Sequence, residues 1–194
     1  GAVTAMKNYR ITEWCHHFIE EHVHPGDLCI DATMGNGNDT ELLCRLAGVQ
    51  GSVLAFDIQP TAIENTKKRL LKSEVFPNYR LILDTHEHMQ LYASPGSVSC
   101  IVFNFGYLPG GDHQKSTHAA SSVAAVKAGL ELLRPGGLMS LCIYSGGDTG
   151  YEEKEALLTC MRALDQRLYL VIRSDYLNRA NHPPVPVLIY KLRS

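Results

Sequence analysis

The residues best suited to chemistry form one run, Asp31-Ala32-Thr33-Met34-Gly35-Asn36-Gly37-Asn38-Asp39-Thr40. Gly35 and Gly37 let the backbone turn sharply and come close to a ligand. A helix starting just after them would offer free N–H groups. A G-x-G pair alone also fits an ordinary strand-to-helix turn. Two more carboxylates sharpen the reading. Asp57 and Asp84 each close an apolar run, as Asp31 does. If those runs are strands, three acids stand at strand ends, where open α/β sheets bind ligands. Carboxylates repel a pyrophosphate, but they suit a ligand carrying an amine, a ribose diol and an aminopurine. Asp57 follows Gly37 at the spacing of about 20 residues expected of a ribose-binding acid, and Thr40 replaces the third glycine of the dinucleotide fingerprint. S-adenosylmethionine therefore fits better than NAD. Its ammonium would lie near Asp31, its ribose on Asp57 and its adenine along Asp84, Thr85 and His86. Thr33, Gly35, Asn36, Gly37, Asn38, Asp39 and Thr40 would line it from the turn, Ile58 and Gln59 from beyond Asp57, and Asn104 near the methyl group.

The elements that must position these residues alternate between short apolar runs and helical patterns, which predicts an α/β fold with a mostly parallel sheet. Ile11, Trp14, Cys15, Phe18, Ile19 and Val23 make one apolar face of a helix over Thr12 to His24, stopped by Pro25-Gly26-Asp27. Strands are predicted at Leu28–Ala32, Val53–Phe56, Tyr79–Leu83, Val98–Phe103 and Leu138–Tyr144. Helices are predicted at Asp39–Leu46, Pro60–Lys72, Thr117–Leu133 and Tyr151–Arg167, with Pro60 suited to a first helical turn. Arg134-Pro135-Gly136-Gly137 reads as a tight turn before the fifth strand. Tyr169–Arg173 and Val185–Tyr190 are two strands with no helix between them, hence antiparallel neighbours. The sum is a Rossmann-like, seven-stranded sheet with its last strand antiparallel and helices on both faces, one domain over 1–194.

Composition sets the outer limits. The chain has 194 residues, 18 Lys+Arg, 20 Asp+Glu and 9 His, for a net charge of −2. That excludes a histone-like cationic binder and leaves room for a local basic patch. Lys7, Arg10, Arg173, Arg179, Lys191 and Arg193 are candidates for a phosphate-binding rim. No apolar run reaches the roughly 18 residues of a membrane helix, and no signal-peptide pattern is present. Gly1 reads as an added residue rather than a natural start. The six cysteines include no C-x-x-C pair, and Cys29, Cys100 and Cys142 fall inside apolar runs as small buried hydrophobes, which reads as a reduced, cytoplasmic protein. His86 with His88, and His22 with His24, have i,i+2 spacing that would share a face on a strand, but no Cys or Asp cluster joins them. No metal is expected.

These motifs, in this order, resemble the class I S-adenosylmethionine-dependent methyltransferases over nearly the whole chain. Asp31-x-Thr33-x-Gly35-x-Gly37 is similar to their first motif, Asp57 to the acid ending strand two, and Leu133-Arg134-Pro135-Gly136-Gly137 to the turn before strand five. Ala55-Phe56-Asp57-Ile58-Gln59, Asn104-Phe105-Gly106-Tyr107-Leu108-Pro109-Gly110-Gly111-Asp112 and Asn181-His182-Pro183-Pro184 narrow the resemblance to the YtqB-like rRNA methylase group. That group includes a tRNA wobble-uridine methyltransferase. The resemblance implies methylation of the amine of 5-aminomethyl-(2-thio)uridine in the anticodon stem-loop of tRNA.

In this family's nitrogen methyltransferases an Asp/Asn-Pro-Pro-aromatic motif often closes strand four. The resemblance gives Asn104 the role of holding the acceptor amine and Tyr107 that of stacking on the pyrimidine, a contact worth roughly 1–3 kcal/mol. Phe105-Gly106 replaces the two prolines. Phe105, Gly106, Tyr107, Asn181 and His182 are the candidate substrate contacts. An aliphatic amine must lose a proton before it reacts, and His113, Asp112 and Tyr107 are candidate bases beside Asn104. No cysteine lies between 104 and 113, which disfavours carbon-5 methylation through a thiolate. The rival readings are an rRNA or small-molecule N-methyltransferase on the same fold, an NAD-dependent oxidoreductase, and a catalytically silent RNA-binding module. A homodimer is compatible with all of them.

Overall fold

The computed structural model describes residues 9–106 and 119–194, apart from the side chains of 147–149. The element order is α1 (Ile11–His22), β1 (Leu28–Asp31), α2 (Asn38–Ala47), β2 (Ser52–Asp57), α3 (Pro60–Lys72), β3 (Tyr79–Leu83), a 3₁₀ helix (His86–Leu91), β4 (Val98–Phe105), α4 (Ala119–Leu132), β5 (Leu133–Ile143), α5 (Gly147–Arg162), β6 (Tyr169–Arg173) and β7 (Val185–Lys191). One seven-stranded sheet runs β3-β2-β1-β4-β5-β7-β6. β7 is antiparallel to both its neighbours. The other pairings are parallel. The chain winds outward from β1 in one direction and then returns to its other side with β4. This makes the β1/β4 boundary the switch point where such sheets bind ligands. Register aligns the strand ends there: Asp31 pairs with Ala55 and Val102, and Asp57 with Leu83.

The central strands are apolar on both faces because helices cover both. Cys29, Ile30, Val53, Ala55, Phe56, Cys100, Ile101 and Phe103 are fully buried. Among the described residues no helix is long and apolar enough to cross a membrane.

Several boundaries differ from the sequence reading. α1 ends two residues earlier, at His22, and Val23 turns to extended backbone. β4 runs two residues further because Phe105 pairs with Ile143 of β5. Arg134-Pro135-Gly136-Gly137 lies within β5: Leu133 pairs with Val98 and Leu138 with Cys100, so the residues between bulge out of the ladder. Gly136 has φ +84° there. α5 begins at Gly147 and ends at Arg162 rather than Arg167. Asp165 stops it, its carboxylate accepting from the Arg167 backbone and guanidinium and its carbonyl from Leu168 and Tyr169. The residues after Asp84 form a 3₁₀ helix, capped by Thr85 Oγ1 accepting from Glu87 N. His86 and His88 thus share no strand face. His86 is buried, and the exposed His88 bonds Asp84. His22 bonds the Ser99 carbonyl from the end of α1, and His24 lies beyond the helix.

Candidate active site

The strand ends open into a cavity of about 920 Å³, bounded by α1, the β1–α2 turn, α3, the 3₁₀ helix and the tips of β2, β4 and β5. The β1–α2 turn is built from inside. Asp31 is fully buried. It accepts from Thr40 Oγ1 at 2.6 Å and from Thr33 N at 3.1 Å. Burial, with the charge of Asp39 adding to it, pushes its carboxyl up to about 7. Asp31 and Thr40 therefore brace the turn and do not line the cavity, which corrects their placement as ligand contacts. Gly37 stands behind the turn as the N-cap of α2, at φ +84°. A Cβ there would lie 2.8 Å from Thr66 Cγ2. Its part is to let the chain pass, not to touch a ligand.

The residues this scaffold presents to the cavity include Thr33, Gly35, Asn36, Asn38, Asp39, Asp57, Ile58, Gln59, Asp84, Thr85, His86, Asn104 and Gly106. Asp57 accepts Gly35 N through Oδ2 at 3.1 Å and Gln59 N through Oδ1 at 2.9 Å. Each oxygen keeps lone-pair capacity for a diol. Ile58 beside it is 55% exposed, an apolar plate facing solvent until something covers it. Asn36 and Asn38 are held by Asn65 and Arg69 of α3. Asp84 is heavily engaged: it accepts from Thr85 N, His88 Nδ1 and Tyr92 Oη. The tyrosine hydroxyl first, then the histidine, hold its carboxyl below the usual range. The His86 ring packs against Phe103 and Phe105. Burial lowers its pKa, against a hydrogen bond to the Ala32 carbonyl.

Asn104 sits at the end of β4, where strand alternation turns it away from the stacked rings of Phe103 and Phe105. Its N–H donates to Thr33 Oγ1 at 2.7 Å. Its Nδ2 donates to Asp39 Oδ2 at 2.5 Å. On the other side of Asp39, His16 Nε2 donates to Oδ1 at 2.5 Å. A carboxylate accepts only, so Asp39 turns the Nδ2 end of the amide toward itself, and the other end of the amide, Oδ1, is an acceptor. Burial lowers the His16 pKa, but the Asp39 hydrogen bond and charge, with Glu13 and Glu20, raise it overall.

The other predicted contacts divide. Gly106 lines the cavity at φ +77°, where a Cβ would meet the Tyr144 carbonyl at 2.6 Å. Phe105 is fully buried in the core, because it shares the face of Phe103, and is no substrate contact. Asn181 and His182 are exposed, adopt φ of +67° and +48°, and are not among the cavity's lining. They turn the chain before Pro183. Tyr107, Asp112 and His113 lie outside the described residues. Lys191 is no rim cation: its Nζ donates to the Leu130 and Leu133 carbonyls. Sequence reasoning found the α1 helix but missed its part in the site, where it contributes Thr12, Cys15, His16 and Ile19 to the cavity wall. The one available signal was His16, a polar residue set beside the Cys15–Ile19 apolar stripe.

The donor set fits a cationic nucleoside cofactor: the Asp57 acceptors for a diol, an exposed apolar side chain next to it, and acids that favour positive charge. Fold and site together define a class I S-adenosylmethionine-dependent methyltransferase. Comparisons with known proteins agree. Residues 53–190 match the family described as Putative rRNA methylase, and the chain belongs to that family. It is 34% identical over 193 residues to the chloroplastic tRNA (mnm(5)s(2)U34)-methyltransferase of Arabidopsis thaliana, covering 95% of this chain and 69% of that protein. Among solved structures, a protein of the same description from Clostridium thermocellum is 42% identical with a TM-score of 0.92, covering 96% of this chain and 100% of the other. A putative methyltransferase from Streptococcus mutans, solved in complex with SAH (S-adenosylhomocysteine), is 36% identical with a TM-score of 0.86, at 96% and 100% coverage.

Proposed function

We propose that this methyltransferase acts on the amine of 5-aminomethyl-(2-thio)uridine at the wobble position of a tRNA anticodon, in a cytoplasmic setting. The observation that carries this reading is the orientation of Asn104. With Nδ2 committed to Asp39, its Oδ1 is a neutral acceptor at the tip of β4, suited to an N–H of the substrate amine. A neutral acceptor orients an amine without holding it as an ammonium, as a carboxylate would. When bound, S-adenosylmethionine would supply an electrophilic sulfonium methyl with a neutral thioether as its leaving group. Asp57 would hold the ribose, and Gly35, Asn36 and Ile58 the nearby parts of the cofactor. Most of the rate gain then comes from alignment, since fixing two reactants in line removes much of the entropic barrier. The named activity of the Arabidopsis relative supports the acceptor. Exposed Arg173, Arg179 and Arg193 are available to anticodon-stem phosphates.

The test is nucleoside mass spectrometry of tRNA after incubation with protein and S-adenosylmethionine. Mass gain of one methyl on 5-aminomethyl-(2-thio)uridine is the expected result. Methylation of tRNA bearing plain uridine at that position, or of rRNA alone, would overturn the assignment.

A further inference from the structure

A histidine from α1 reaches the same carboxylate that holds Asn104. His16 and Asp39 are each only 13% exposed at the side chain, with imidazole Nε2 2.5 Å from the carboxylate Oδ1. Asp39 stands in the first turn of α2, where the helix N-terminus favours its negative charge. Its second oxygen is held by Asn104 Nδ2. Thus α1, α2 and β4 meet in one chain of hydrogen bonds, His16–Asp39–Asn104, and all three residues line the cavity. The charged groups that face this chain are mostly acidic: Glu13 and Glu20 from α1 and Asp31 from β1. The thiols of Cys15 and Cys100 also face Asp39, with Cys142 against Cys15. Among these neighbours His16 is the group able to oppose the Asp39 charge.

We propose that His16 is a positioning residue for methyl transfer: as a cation it cancels the Asp39 charge beside the acceptor, so that Asn104 can be locked by a carboxylate without that carboxylate trapping the substrate amine as an ammonium. This rests on the reading that the acceptor is an aliphatic amine. The physical conflict is simple. Orienting the Asn104 amide needs an acceptor-only partner, which means a negative charge. A negative charge near an amine raises the amine's pKa and withdraws the lone pair that must react. A protonated imidazole on the far oxygen of the same carboxylate keeps the orientation and removes the net charge.

The experiment measures single-turnover methyl transfer to tRNA bearing 5-aminomethyluridine, from pH 6.5 to 9.5, for the wild type, H16Q and the smaller H16N. Both substitutions offer a neutral donor to Asp39 and no charge. The acid limb of the single-turnover rate at saturating enzyme, which reports the amine as it is bound, should move to higher pH by about one unit, since one pKa unit corresponds to a tenfold change. The rate at neutral pH should fall about tenfold and recover as the pH rises. Affinity for S-adenosylhomocysteine, measured by calorimetry on the same samples, should stay within about twofold. A uniform loss at every pH, with weakened cofactor binding, would reduce His16 to a packing residue. An unchanged profile in the variant that binds cofactor normally would overturn the proposal outright. If the wild type itself leaves this tRNA unmethylated, it is the acceptor assignment that fails, and the wild-type arm reveals that separately.

Discussion

Gly37→Ala should unsettle the cofactor loop through a contact that can be relieved elsewhere. Gly37 has φ +84°, a conformation that costs a residue with a Cβ about 1–2 kcal/mol. The added methyl would sit 2.8 Å from Thr66 Cγ2 and 2.9 Å from Thr66 Oγ1. Thr66 is fully buried and cannot swing into solvent. Overpacking of this kind costs about 1–3 kcal/mol. The sum is about 2–5 kcal/mol, a large share of the roughly 5–15 kcal/mol of a folded domain. Thr66 Oγ1 also donates to the Gly35 carbonyl at 2.9 Å, so pushing it aside displaces the residue whose N–H orients Asp57. Urea unfolding should show the stability loss, and calorimetry with S-adenosylhomocysteine should show weakened binding. Thr66→Ala separates the two costs. Alone it removes a hydrogen bond and destabilises. In the Gly37→Ala background it should cost less by about 1–3 kcal/mol, because the clash goes with it, while the backbone penalty stays. A Gly37→Ala protein as stable as wild type, or two substitutions that simply add, would refute this account of the loop.

Three other substitutions have defined outcomes. Asp57→Ala should weaken S-adenosylmethionine binding by about 1.5–3 kcal/mol, ten- to a hundredfold, by losing the diol acceptor and releasing Gly35 N; an unchanged dissociation constant would exclude Asp57 from the ribose site. Asn104→Ala should lower kcat and kcat/KM together by about 2–4 kcal/mol of transition-state stabilisation with cofactor affinity nearly intact, and wild-type single-turnover rates would leave Asn104 a strand-end residue only. Asp31→Asn should change the pH dependence of stability. Burial raises the Asp31 carboxyl to about 7 in the folded protein, so the wild type loses stability from about pH 4 to about pH 7 as the unfolded chain ionises first. The variant lacks that loss, its stability relative to wild type should rise across the same window, and parallel urea-unfolding curves at pH 5 and pH 8 would contradict the buried charge.

The path of the chain was legible because it follows from local patterns. Apolar runs of strand length, the amphipathic stripe of α1, Pro60 at the first residue of α3 and Gly35-x-Gly37 at the sheet's switch point are short-range signals, and the structure places them in the predicted order. Asp57 and Asn104 were legible for the same reason, since each is a polar residue closing an apolar strand at the carboxyl end of the sheet, where such folds bind ligands. What the sequence alone could not decide is which polar residues look into the cavity and which hold its walls. Asp31 and Asp57 are both aspartates ending strands, yet one is sealed against Thr40 in the first turn of α2 and the other is presented to the cavity. Phe105 and Asn104 are neighbours, and the pleat alone sends one to the core and the other to the site. His16 lies 23 residues before Asp39 and 88 before Asn104 in the chain. Only the packing of α1 against the strand tips brings its imidazole to their carboxylate, and a contact between residues so far apart leaves no spacing in the sequence from which to read it.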